Sequence, residues 1–299
     1  MTPATRVLVE RYGLDCEFQH RGNLYVFRSD ETLARAEQER ALMQEHGIEG
    51  IPLSREEVLE REPALDPSVC GGIFYPGDAD VVPDRFAHEL AKHLPAMGVR
   101  FLTGTTVDGF TRGGGGRVLS VATSAGEIRA DTVVLAAGAW STRLARQLGV
   151  AIAMQPGKGY SLTYAAQDGT PSIPLYLGDV KVGVSPWQET FRLGGTMELA
   201  GLQLRINRQR VEAVVSGAKL FLPSFRADNL QKVWTGMRPV CSDTLPVIGP
   251  SSAAPNVFFA TGNAMLGVTQ SVVTGRIVAQ LIQGETPSVP VAPFSPDRF

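Results

Sequence analysis

The chain has 299 residues, of which 43% are apolar and 19% charged, with a formal net charge of −2. This is the composition of a globular protein with enough chain for two cores, and it excludes a predominantly disordered chain. Acids and bases are interspersed and no basic tract occurs, which argues against nucleic acid as a partner. The three cysteines, Cys16, Cys70 and Cys241, are far apart and form no C-x-x-C pair, as expected for free thiols in a reducing compartment.

The opening residues, MTPATRVLVERYGLDCEF, are broken by Arg6, Glu10 and Arg11, so they do not read as a signal peptide. GNLYVFRS (22–29) reads as a strand. Ser29 or Asp30 then caps a helix that stops at Gly47, with Leu33, Ala36 and Met43 on one face. SREEVLERE starts with Ser54 and Glu57 at capping-box spacing and ends before Pro63. GGIFYPGDADVVP is a strand entering a turn. Asp84 opens a helix with Phe86, Leu90, Leu94 and Met97 on one side, ended by Pro95 and Gly98.

After Gly98 the period changes. VRFLTG, TTVDGF, RVLSVAT and EIRA predict short strands, with the glycines of RGGGGR (112–117) as a hairpin tip. DTVVLAAGAWS contains an apolar run, 133–137, that predicts a strand buried on both faces of a parallel sheet. Gly138 closes it, where a ligand or another backbone can approach. KGYSLTY, IPLYLG, VKVGVSP and TFRLGGTMEL predict further strands, 206–221 a helix, and NVFFATG (256–262) a second buried strand. The last helix ends at Gly284 and carries a small-residue stripe, Ser271, Gly275 and Ala279. The uncharged run 244–275 holds too many prolines and glycines for a membrane span.

Few motifs carry chemistry by themselves. His88 and His93 stand five positions apart on a helix and share no face, and no carboxylate or cysteine completes a metal set. No P-loop and no nucleophile elbow occurs. In FATGNAMLGVTQ (259–270) a strand, a short loop and a helix start follow in order. The first amides of that helix, at Leu266, Gly267, Val268 and Thr269, lack intrahelical acceptors and can hold a ligand oxygen, or they belong to an ordinary crossover. In WTGMRPVCSDTLPVIG (234–249), Arg238 stands between Met237 and Pro239. Its planar fork suits a carboxylate, and a structural ion pair, for example with Asp243, is the competing reading.

Taken together, DTVVLAAGAWS, KGYSLTY, RLGGTMELAG, WTGMRPVCSDTLPVIG, NVFFATGNAMLGVTQSVVTGRIVAQLIQGETP and the closing RF resemble, in order, the D-amino-acid dehydrogenase group of FAD-dependent amine oxidoreductases related to D-amino-acid oxidase and glycine oxidase. The resemblance implies an α/β (α+β) protein: a mixed-sheet substrate domain (1–80 and 146–244) and an incomplete parallel-sheet FAD-binding domain (81–145 and 245–299). It implies FAD as cofactor, an amino acid as small-molecule substrate, and oxidative deamination of D-amino acids to 2-oxo acids and ammonia. Arg238 would clamp the substrate carboxylate, with Tyr160 and Tyr176 as candidates for a second contact. Val107 would meet adenine. Ala136, Ala137 and Gly138 would line the phosphates and ribityl chain, and Gly262, Asn263 and 266–269 the flavin edge.

Two departures stand out. The family's T-G-H reads Thr261-Gly262-Asn263 here, and the βαβ unit with G-x-G-x-x-G that opens the family is missing. The expectation is an N-terminally truncated form that by itself binds FAD poorly and leaves the 133–137 strand without a neighbour. The alternatives are a glycine, sarcosine or proline oxidase of the same family, and a non-catalytic fragment or subunit that completes a partner's fold. A cytoplasmic location is expected, with peripheral contact to the inner membrane, an electron acceptor and an N-terminal partner fragment left open.

Overall fold

Strict alternation along the middle of the chain builds the largest element. In the computed structural model, which describes residues 3–299, the elements follow in order as α1 (Pro3–Tyr12), β1 (Asn23–Phe27), α2 (Asp30–Glu45), β2 (Ile51–Ser54), α3 (Arg55–Arg61), β3 (Gly71–Tyr75), α4 (Pro83–His93), β4 (Val107–Arg112), β5 (Val118–Thr123), β6 (Gly126–Arg129), β7 (Val133–Leu135), α5 (Ser141–Gln147), β8 (Met154–Ala165), β9 (Leu175–Leu177), β10 (Val182–Pro186), β11 (Thr190–Glu198), α6 (Arg208–Phe221), β12 (Leu230–Cys241), β13 (Val247–Ser251), β14 (Ala254–Thr261) and α7 (Gly267–Ile282).

Eight strands form one sheet in the order β12-β8-β11-β10-β9-β1-β3-β2. All its pairings are antiparallel except β1 with β9. One face is dry. Leu24, Val26, Leu162, Leu175, Leu177, Val182, Val184 and Leu193, each 2% exposed or less, pack there with Val58 of α3 and Val214, Ala218 and Phe221 of α6. Burying such a side chain contributes roughly 1.5–3 kcal/mol, so the register of the whole sheet is fixed by this face. The residues between them, including Tyr25, Ser161, Tyr176, Gly183, Gly194 and Trp234, are half-buried or exposed on the opposite face.

The expected parallel layer takes another form. Two further sheets have the orders β13-β14-β7 and β4-β5-β6. Only β14 with β7 runs parallel, with Val257, Phe258 and Phe259 opposite Val133, Val134 and Leu135. β13 joins β14 antiparallel because a two-residue turn, Ser252-Ala253, connects them. β7 is an edge strand rather than one covered on both faces, and Val134 is 44% exposed. The two small sheets are joined by Asn256, which is buried. Its Nδ2 donates to Val118 O (2.8 Å) and Asp131 O (2.9 Å), and its Oδ1 accepts from Val118 N (2.8 Å).

Local chemistry explains most boundaries. Ser54 and Glu57 form the reciprocal capping box at the start of α3. Pro83, not Asp84, opens α4, as suits a residue with no N–H to satisfy, and Gly98 stops the turn after it at φ 86°. Two expectations fail. The segment 99–104 forms no strand, and Val99, Phe101 and Leu102 are exposed. α2 buries none of its side chains, Leu33, Ala36 and Met43 included, and Ser29 makes no side-chain cap. The stripe Ser271, Gly275 and Ala279 on α7 faces outward, while Thr274, Ile277 and Val278 are buried. Among the described residues no helix is long and apolar enough to cross a membrane.

Replacing Asn256 with Ala removes the buried side-chain partner of the Val118 N–H and C=O, so the variant should lose about 2–3 kcal/mol of stability. Urea unfolding measures that loss.

Candidate active site

β12 lies alongside β8 for its whole length, with Arg238 opposite Gly157 and Gly236 opposite Gly159. The Arg238 side chain crosses onto β8. A Cβ built on Gly159 would lie 1.9 Å from its Nη1, so the guanidinium occupies the space that a side chain at 159 would take. Nη1 donates to Thr196 O at 3.0 Å, the one hydrogen bond the guanidinium makes among the described residues. Asp243, the competing partner, is held instead by Arg298 at 2.7 Å. Burial pulls the Arg238 pKa down, but guanidinium stays protonated at any working pH. The result is a half-buried cation with most of its five donors free.

The carbonyl that Arg238 meets is aimed by a bulge. Thr196 sits at φ 70°, where β11 slips register against β8 between Gly195 and Glu198. Glu198 is pinned by Tyr160, whose Oη donates at 2.7 Å, and by Lys158 Nζ at 3.2 Å. Lys158 is 1% exposed and also donates to Arg205 O at 3.0 Å. Burial works against its charge, but Tyr160 and Glu198 outweigh that and raise its pKa, so the ammonium persists.

Beside Arg238, the loop from β14 to α7 is stitched to the end of β12. Asn263 bridges Val240, and Ala264 N donates to Pro239 O at 3.0 Å. Gly262 has φ 80°, and a Cβ there would meet Cys241 Sγ at 2.7 Å. Leu266 is the N-cap of α7 and its own N–H donates to Asn263 O at 2.8 Å, so of the four expected amides those of Gly267, Val268 and Thr269 are the ones without a helical acceptor. The Asn263 side chain turns back to α7, where its Nδ2 donates to Gln270 Oε1 at 2.8 Å. Across the small sheet, Thr261 Oγ1 donates to Gly138 O and accepts from Ser141 Oγ, both at 3.1 Å. This locks the ends of β14 and β7 together beyond Ala136 and Ala137. Gly138 has φ 52° and open space where a Cβ would be.

Residues 3–281 match the FAD dependent oxidoreductase family. The chain belongs to that family. It is 34% identical over 294 residues to the D-amino acid dehydrogenase of Bradyrhizobium diazoefficiens, covering 96% of this chain and 69% of that one. It is 30% identical over 299 residues to the D-amino acid dehydrogenase of Granulibacter bethesdensis, covering 98% and 71%. Its fold matches glycine oxidase from Geobacillus kaustophilus with a TM-score of 0.92 at 24% identity, over 99% of this chain and 81% of the other.

The residues present fit one end of FAD. Free amides at the head of α7, and Gly138, whose positive φ leaves open space where a side chain would be, suit a flat ring edged with acceptor oxygens. The dinucleotide end finds no glycine-rich strand–helix turn among the described residues. Val107 opens β4 in the separate sheet and does not join this group.

Neither tyrosine stands beside Arg238. Tyr160 is 1% exposed on the dry face, its hydroxyl committed to Glu198. Tyr176 shares the open face but lies on β9, with β10, β11 and β8 between it and β12. Sequence reasoning missed Thr196, Glu198 and Lys158. The usable signal was the spacing of Gly157 and Gly159, small residues at alternate positions opposite an arginine.

A methyl group at Gly159 cannot coexist with the guanidinium as placed. Gly159→Ala should expel Arg238 from its contact with Thr196 O while the sheet stays folded, and a crystal structure of the variant tests this.

Proposed function

We propose that this protein oxidises D-amino acids at the α-carbon, yielding an imino acid that water converts to a 2-oxo acid and ammonia. The observation that carries the reading is Arg238: a half-buried cation without a carboxylate of its own, one residue from a proline that receives the loop leading to the free amides of α7. A ligand carboxylate supplies the missing charge and accepts two parallel hydrogen bonds from the fork. Names of the relatives point the same way.

FAD, when bound, supplies the hydride acceptor. Gly262, Gly267, Val268 and Thr269 would hold its ring through backbone N–H groups, which favour negative charge developing there. Gly138, with Ala136 and Ala137, would take the adjoining chain. Arg238 fixes the acid end of the substrate and so sets which hydrogen points at the acceptor. With the amine entering neutral, the α-carbon can lose hydride without a dedicated base.

β7's open edge favours a second reading, in which another polypeptide adds a strand there and completes the cofactor's seat. Purified protein that is yellow without any partner argues against it. An electron acceptor and a peripheral membrane contact belong to the same proposal. Comparing dye reduction with oxygen consumption separates the acceptors, and vesicle flotation tests the membrane contact.

Arg238→Ala in the FAD-loaded protein should raise KM roughly ten- to hundred-fold, the value of charge-assisted hydrogen bonds. Steady-state kinetics with D-, L- and N-methyl amino acids provides the measurement. An unchanged KM, or a preference for L- or N-methyl substrates, sinks the assignment.

A further inference from the structure

The open face of the eight-stranded sheet is not uniform. One row crosses six strands in register: Tyr25 on β1, Tyr176 on β9, Gly183 on β10, Gly194 on β11, Ser161 on β8 and Trp234 on β12. Paired residues in a sheet point to the same side, so these share one face, and the register puts them on the face of Arg238. At one end the row is aromatic, with Tyr25 edge-on to Tyr75 and tilted against Tyr176 at centroid distances of 4.9 and 4.8 Å. At the other end is Trp234, 55% exposed. The middle is bare. A Cβ on Gly194 would have no neighbour within 4 Å, and one on Gly183 would meet only Gly194 O at 3.9 Å.

A bare floor with Tyr176 at one end and, at the other, the Trp234 ring lying along β12 over Gly236 makes a slot. Its position relative to the cation follows from the lattice of the sheet. The guanidinium lies over Gly159, while Gly194 is opposite Ser161. The separation is two residues along a strand and one strand across, about 8 Å. An aromatic amino acid spans that distance once its carboxylate has met the guanidinium, the contact between the two ions covering the first part and the molecule's own length the rest.

We infer that the Gly183–Gly194 floor, between Tyr176 and Trp234, takes the side chain of the substrate and selects D-amino acids with large aromatic side chains. This rests on the carboxylate role of Arg238 proposed above. The glycines make the room, because a side chain at either position would stand where the ring lies. The tyrosines and Trp234 offer the edges and faces that aromatic rings prefer as neighbours.

The test is Gly194→Val and Gly183→Val in the FAD-loaded full chain, with circular dichroism and thermal unfolding to confirm the fold. The ratio of kcat/KM for D-phenylalanine to that for D-alanine should fall at least about tenfold in each, since each branched side chain removes the room for a ring. A ratio that stays within about twofold of the parent value overturns the slot while leaving the D-amino acid reading intact. A parent protein that oxidises neither amino acid, under conditions where FAD is bound, overturns that reading and the slot with it. A second measurement needs no turnover. Phenylpropionate should quench the fluorescence of the parent more than propionate does. Trp234→Phe should abolish that difference, and Gly194→Val should reduce it. Equal quenching by both acids in the parent also overturns the proposal.

Discussion

Everything around the candidate active site depends on keeping one guanidinium half out of water without giving it a counterion. Arg238 meets a single carbonyl, and the nearest suitable acid in sequence, Asp243, is already bound to Arg298. A buried charge of this kind is unfavourable until something anionic arrives. The protein tolerates it because the side chain lies flat across a glycine and borrows one backbone dipole.

Two faces of one sheet divide the work. The dry face holds the strands in register and also carries the Lys158–Glu198–Tyr160 cluster, which anchors the bulge at Thr196 from behind. The open face carries Arg238, Trp234 and the paired glycines. Period-two alternation places the support and the site on opposite sides of the same backbone, separated by one residue. A slip of one residue in β8 would exchange them, and burial of the dry face prevents it.

What could be read from the sequence followed from local rules. The capping box at Ser54, the turn at Gly98, α7 and its uncapped head, and the ambiguous solitude of Arg238 all lie within short windows. What could not be read depended on partners far along the chain. Tyr160 looked available because nothing nearby in sequence says which face of β8 it occupies; Glu198, thirty-eight positions away, decides it. The run 133–137 reads as fully buried because its composition is apolar, but burial needs neighbours, and β7 has one. VRFLTG alternates like a strand and pairs with nothing among the described residues. α1 gave no usable signal in so mixed a stretch of charge.

The stitching of the 262–264 loop to Pro239 and Val240 has a further consequence. It ties the acid clamp and the amide-rich helix head into one rigid ruler, so strand and loop cannot drift apart. On the proposed reading, that ruler discriminates by backbone length. A β-amino acid, one methylene longer between its acid group and its amine-bearing carbon, would bind at the same fork and present the wrong carbon for oxidation.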